Sequence, residues 1–397
     1  MHFYSSPYPS LPSLFIASYS FTPQTIAFFN QIFPRHGNDQ TPITPHSKSC
    51  DYSYGEWVRD DDLSRDKYTE NCPFLDPGFR CQRSGRRDSE YQKWRWKPQA
   101  CHLPRFNASN LLSRSRNGRI VFVGDSIVRN QWESLLCMLA QGVANQSTIC
   151  EQFGNSISKH KGYLSMRFDE FNLTVEYYRV PFLVPVRRPP KNVSEEVKGV
   201  LKLDDLHWYF SKLVGADVLM FSAGHWWNEE KTHKMGIYFQ EGEDVHMTMN
   251  ATEAFRRSLN TWAFWAMSNL SSETHVIFRS YSPVHYRNGE WNSGGNCHAN
   301  TAPETDRVGP SENPMTNTYI SNIVNQMKTS GRNVSYLNIT YLSGFRKDGH
   351  PSNHREPGTP LDAPEDCSHW CLPGVPDTWN ELLYAELLLK GFRTKSI

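Results

Sequence analysis

Ile120-Val121-Phe122-Val123-Gly124-Asp125-Ser126-Ile127-Val128-Arg129-Asn130 is the stretch from which the rest of the chain is most readily understood. Ile120 to Val123 is a short apolar, β-prone run, and Val128 to Leu139 takes helical spacing. Gly124 permits a sharp turn between the two, which puts the Ser126 hydroxyl at the carboxyl edge of a sheet. Backbone N–H groups at the helix start would face an oxyanion developing beside that hydroxyl. This placement suits a nucleophile. Taken alone, Gly-Asp-Ser reads more readily as a serine capping a helix. The Gly-x-Ser-x-Gly elbow is absent, because Val128 occupies its last position.

Outward from that turn, strands and helices alternate. Leu164 to Val180 reads as two strands, with Leu173, Val175 and Tyr177 on one face, and Ala216 to Phe221 as a buried strand. Ala251 to Leu270 is an amphipathic helix with Phe255, Leu259, Trp262, Ala266 and Leu270 on one stripe, opened by an Asn250/Glu253 capping box. His275 to Tyr281 is a strand, Thr316 to Thr329 a helix stopped by Gly331, and Val334 to Tyr341 a strand. Asp377 to Lys390 is a closing helix ended by Gly391. The alternation predicts an α/β fold: a mostly parallel sheet covered by helices on both faces.

The second chemical block is Asp366-Cys367-Ser368-His369-Trp370-Cys371-Leu372-Pro373-Gly374. A serine nucleophile needs a base, and the base needs a carboxylate to hold its tautomer. Asp366 and His369, three apart on a turn, can bond to each other, and Cys367 and Cys371 bracket them. The same residues also describe a rigid disulfide loop with a surface histidine. Zinc is discounted, because no second Cys or His cluster has ligand spacing. His225 is a rival base, read as buried between aromatic neighbours.

The formal charge of +1 gives no basis for nucleic-acid binding, and no polybasic tail addresses a membrane surface. Nine cysteines fit four disulfides with one left over. Eight Asn-x-Ser/Thr sequons, at Asn107, Asn145, Asn172, Asn192, Asn250, Asn269, Asn333 and Asn338, are about twice the chance number. Together they favour an oxidising, glycosylating compartment. Residues 1–48 read as leader or linker, with Leu11 to Phe33 too interrupted for a membrane helix and no basic region before an apolar core. Residues 49–104 form a Cys-rich aromatic module, too short and polar to bury a core alone and expected to be stapled to the larger domain after it. Residues 105–392 read as the larger domain, which carries both chemical blocks and is the candidate catalytic domain.

In this order the blocks resemble the GDSL or SGNH esterase superfamily, and more closely the plant trichome-birefringence-like family of Golgi polysaccharide O-acetyltransferases. The resemblance rests on the Cys50 to Cys101 module, Val123-Gly124-Asp125-Ser126, Lys161-Gly162-Tyr163-Leu164-Ser165, Gly224-His225-Trp226-Trp227, Trp291-Asn292-Ser293-Gly294-Gly295 and the Asp366 to Gly374 block. It implies a three-layer α/β/α catalytic domain with the small module packed on it. Ser126 would be nucleophile, Asp366 orienting carboxylate and His369 base, then acid. The oxyanion donors would be the Ser126 N–H, Gly162 and the residue at 222, where Ser222 replaces the family's usual Asn. Losing one such donor costs roughly two to three decades in rate. The implied bridges are Cys50–Cys101, Cys72–Cys137, Cys81–Cys371 and Cys297–Cys367, leaving Cys150 unpaired; spacing alone does not select them.

The resemblance further implies no bound cofactor and no metal. The acetyl donor would be a co-substrate, acetyl-CoA or a lumenal carrier, supplied with a membrane transporter as possible partner. The acceptor would be a cell-wall polysaccharide: xylan, mannan or pectin. The expected location is the Golgi lumen, as a type II membrane protein. Acetylesterase chemistry on the same triad and a weakened glycan-binding protein are the alternatives. Trp94, Trp96, Trp226, Trp227 and Trp291 are candidates for sugar stacking, with core burial the default. Arg83, Arg86, Arg87, Arg187 and Arg188 are candidates for acidic sugars, with a solvated face the default. Arg129 and Asn130 either reach the site or belong to the first turn of the helix.

Overall fold

The computed structural model describes residues 50–62, 68–304, 313–360 and 362–394, so the expected leader over 1–48 lies outside the described residues. An N-terminal hairpin pairs β1 (Gly55–Arg59) with β2 (Trp94–Pro98). Further along the chain come β3 (Arg119–Gly124), β4 (Ile149–Glu151), β5 (Tyr163–Phe168), β6 (Leu173–Arg179), β7 (Val186–Arg187), β8 (Gly199–Lys202), β9 (Val218–Ser222), β10 (Ile237–Glu241), β11 (Asp244–His246), β12 (His275–Arg279) and β13 (Val334–Leu337). A seven-stranded sheet has the order β13-β12-β9-β3-β6-β5-β4. Its strands from β13 to β6 are parallel, and β5 and β4 add antiparallel at one edge.

The side-chain alternation of β3 divides the core. Ile120 and Phe122 face one layer, with helices Ser126–Ala140 and Val375–Leu389. Val121 and Val123 face the other, with helices Ala251–Asn269 and Met315–Thr329. Two-sided burial is what parallel strands require. The predicted stripe of the Ala251–Asn269 helix is buried at every position.

Helix Ser126–Ala140 is buried on nearly all sides, including Arg129, Asn130, Gln131, Glu133 and Ser134. The reason is the N-terminal module, which covers its outer face. Phe74, Leu75 and Phe79 join the same core, and Cys72–Cys137 ties the module to the helix. Cys81–Cys371 ties it to the segment after His369; the other bridges are Cys50–Cys101 and Cys297–Cys367, the pairings the resemblance implies. Cys150 is free and exposed. Trp57 Nε1 donates to the Leu342 carbonyl, and Tyr68 donates to Asp377 at 2.7 Å.

Several boundaries differ from expectation. The strand expected to reach Tyr341 stops at Leu337, and Thr340–Gly344 is a short helix. Ser280 Oγ accepts the N–H groups of Ile339 and Thr340 there, drawing the chain off the ladder. Asn250 caps Glu253 N, but the Glu253 side chain pairs with Arg256 and Arg257 instead of closing the box. A four-stranded sheet of order β11-β10-β8-β7 was not expected, because two- to five-residue strands are too short to establish a period.

Candidate active site

Gly124 closes β3 opposite Ser222 of β9, and a Cβ there would lie 2.2 Å from the Ser222 carbonyl oxygen. Only glycine fits. Asp125, not Ser126, caps the helix: its Oδ1 accepts from Ile127 N at 2.9 Å and Val128 N at 3.4 Å. Tyr177 donates to the Asp125 carbonyl from β6. The Ser126 hydroxyl is thereby released from capping, at the partly exposed first position of the helix.

His369 Nε2 lies 2.8 Å from Ser126 Oγ, and His369 Nδ1 lies 2.8 Å from Asp366 Oδ2. A carboxylate only accepts, so the proton sits on Nδ1, and Nε2 accepts from the serine hydroxyl. Asp366 Oδ1 also accepts from His369 N at 3.0 Å and Ser368 N at 3.2 Å. Burial alone would push the Asp366 carboxyl up. The facing imidazole and these N–H donors more than offset it and hold the group well below the usual carboxylate range. The base is a quarter exposed and the carboxylate less so, so an acyl group can reach the serine while the pair stays ordered.

The loop carrying the pair is fixed from behind. Asn130, one helical turn beyond Ser126, accepts from Trp370 N at 2.8 Å and donates to the Trp370 carbonyl at 3.1 Å. His350 Nδ1 donates to the His369 carbonyl at 2.6 Å, and its Nε2 meets His285 Nδ1 at 2.7 Å. Burial lowers His350 to about 4, so it is neutral near pH 7.

Four site assignments in this region are corrected, those of Arg129, Asn130 and Trp227 in favour of the buried alternative already set beside them. Arg129 does not reach the site: it is buried, salt-bridged to Asp76 and Glu133 at 3.1 Å, with its guanidinium over Phe79. Asn130 is fully buried and spent on Trp370. Trp227 is a core residue packed against Phe182, Phe239 and Phe255. Ser222 has no exposed surface, and its Oγ accepts from buried Arg279 at 3.0 Å, so its side chain is held in the interior and is not open to a bound acyl oxygen. Among the arginines, Arg86 is buried over Tyr91 and paired with Asp88, whereas Arg83, Arg87, Arg187 and Arg188 are exposed. Trp96 is buried; Trp94, Trp226 and Trp291 are half-buried.

Gly162 precedes β5 in register with Arg179, whose N–H it accepts, and Arg179 is in register with Gly124. It therefore sits along the same sheet edge as the serine. His225 is directed elsewhere, with Nε2 donating to the Ser282 carbonyl at 2.8 Å and Nδ1 3.3 Å from Asp125 Oδ2. Sequence reasoning missed Arg279. It is fully buried beneath the helix start, bonded to Gln131 and Ser222, and lowered to about 10 by burial, against the pull of Asp125. A charged residue closing the apolar run His275–Arg279 was its only local signal.

A sheet-edge serine answered by an Asp-x-x-His loop is the arrangement of a GDSL/SGNH-like hydrolase. Residues 103–386 match the PC-esterase family, described as the GDSL/SGNH-like acyl-esterase family found in Pmr5 and Cas1p, and the chain belongs to that family. Residues 48–102 match the PMR5 N-terminal domain. The chain is 56% identical to protein trichome birefringence-like 9 of Arabidopsis thaliana over 88% of this chain and 86% of that protein. It is 41% identical to trichome birefringence-like 6 from the same plant, over 90% of this chain and 74% of that protein. It is also 41% identical to protein trichome birefringence, covering 86% of this chain and 57% of that longer protein.

Proposed function

We propose that this protein is a polysaccharide O-acetyltransferase acting through a Ser126 acyl-enzyme. The observation carrying this reading is the continuous hydrogen-bonded line from Asp366 through His369 to Ser126. In the first half-reaction Ser126 Oγ attacks the donor's acetyl carbonyl while His369 Nε2 takes its proton. The Asp366 carboxylate stabilises the imidazolium, and the tetrahedral oxyanion is met by the Ser126 N–H and Gly162. His369 then protonates the departing donor group. In the second half-reaction an acceptor sugar hydroxyl gives its proton to His369 and attacks the acetyl carbonyl, and the proton returns to Ser126 as the ester leaves.

The chemistry asks for no metal or organic cofactor, only an acetyl donor, acetyl-CoA or a lumenal carrier fed by a membrane transporter. Four disulfides and eight sequons, none at a buried position, support a Golgi lumenal setting. No helix among the described residues is long and apolar enough to cross a membrane, so an anchor would lie outside them. Incubating the protein with an acetyl donor and deacetylated xylan, mannan and pectin, read by mass, tests the proposal. Acetylated glycan lost in Ser126→Ala supports it. Free acetate alone would assign hydrolysis instead, and no Ser126-dependent product would reduce the protein to a glycan binder.

A further inference from the structure

One polar feature beside the site takes no part in the proton and acyl transfers between Asp366, His369 and Ser126. The Lys231 ammonium lies 4.2 Å from the Trp291 ring centroid and 5.5 Å from that of Trp226. All three side chains are half-buried. Trp226 is held against the edge of Phe182, with centroids 5.7 Å apart and planes at 88°. Phe182 comes just after β6, where Val180 N donates to the Gly124 carbonyl. On the other side Trp226 is next to His225, whose ring meets Asp125, the residue before the nucleophile. The clamp therefore hangs from the sheet edge that carries Ser126.

The charges around Lys231 are unevenly satisfied. Glu229 pairs with His233, and Glu230 pairs with Lys234 while accepting from Asn292 Nδ2. Lys231 has no carboxylate partner among the described residues, although two indole faces have taken part of its hydration. A cation so held gains from the ring quadrupoles and, with no carboxylate already against it, can still pair with an anion. A pyranose ring can lay its C–H face on an indole, and a carboxylate on that same ring would meet the ammonium. A neutral sugar would satisfy only the rings.

We propose that Trp226, Lys231 and Trp291 form an acceptor subsite for an anionic sugar, a uronosyl unit of the glycan that receives the acetyl group. This rests on the acyl-transfer reading of Ser126, and its test separates the two. Binding of oligogalacturonate and of neutral xylo-oligosaccharide of equal length is measured on the intact Ser126→Ala protein, where no turnover intervenes. The expected result is preference for the uronate, weakened by salt. Adding Lys231→Gln to that protein should cost roughly tenfold in uronate affinity while Lys231→Arg retains it. Equal binding of both oligosaccharides, or the same loss on both in Lys231→Gln, would assign Lys231 to holding the two tryptophans together and overturn the proposal. Should transfer to any glycan be missing from the unaltered enzyme while the Lys231-dependent preference persists, the acyl-transfer reading fails and the subsite stands.

Discussion

Replacing Asn130 by Ala should damage stability and chemistry together. Its side chain carries two hydrogen bonds, 2.8 and 3.1 Å, between the nucleophile's helix and the backbone of Trp370, the residue after His369. Truncation leaves a buried N–H and a buried carbonyl without partners, at about 1–3 kcal/mol each. Asn130 has no exposed surface, so water cannot take over without rearrangement. A loss of about 3 kcal/mol in denaturant-derived unfolding free energy is expected. His369 would also lose the clamp that sets its Nε2 at 2.8 Å from Ser126 Oγ. A displacement of about 1 Å costs about a hundredfold in rate. Pre-steady-state release of nitrophenol from p-nitrophenyl acetate reads this first acylation directly. If Asn130 contacted substrate instead, the variant would raise KM and leave unfolding unchanged. An unfolding midpoint equal to the unaltered protein's, with an intact acylation burst, would refute the clamp.

Asp366→Asn should lower kcat by roughly three to four decades with folding preserved, because an amide can hold the imidazole in the wrong tautomer; stopped-flow acylation checks it. Ser222→Ala should cost about 1–2 kcal/mol of stability by stripping an acceptor from buried Arg279, yet lower acylation less than about tenfold. A loss of roughly two to three decades would restore Ser222 to the oxyanion hole. His350 sets a pH dependence. Its pKa falls from 6.5 to about 4 on folding, so the unfolded chain binds the proton first and stability is lost as pH drops from 6.5 toward 4. The slope is about 1.4 kcal/mol per pH unit. Asp366 has a depressed folded pKa, so its contribution is present above its unfolded value of 3.8 and lost below it. Burial also holds His207 and His285 below 6.5, so the difference between the unfolding free energies at pH 7 and pH 5 should shrink, not vanish, in His350→Gln, and an unchanged difference would remove His350 from the account.

The contrast between Ser126 and its neighbours shows where local reading ends. Strand, glycine and helix around Gly124 were legible because a period of two giving way to 3.6 is a property of a dozen residues. Asp366 and His369 were legible as a pair because they stand three apart on one turn. Asp125 displaced Ser126 as the cap although both lie at the start of the same helix: both residue types cap well, and only the packed turn shows which side chain faces back.

The amino-acid sequence alone determined the α/β alternation, the apolar stripe of the Ala251–Asn269 helix and the chemical character of the two blocks that face each other in the site. Such features depend on residues within a turn or two of one another. Tertiary structure alone decided that Arg129 and Asn130 are buried supports, that Ser222 serves Arg279, and that Trp227 is core while Trp226 and Trp291 hold Lys231. Asp76, Trp370 and Arg279, the partners of Arg129, Asn130 and Ser222, stand 53, 240 and 57 residues away along the chain. Whether a polar side chain is spent inside or left for a ligand depends on which of those distant groups folding brings against it.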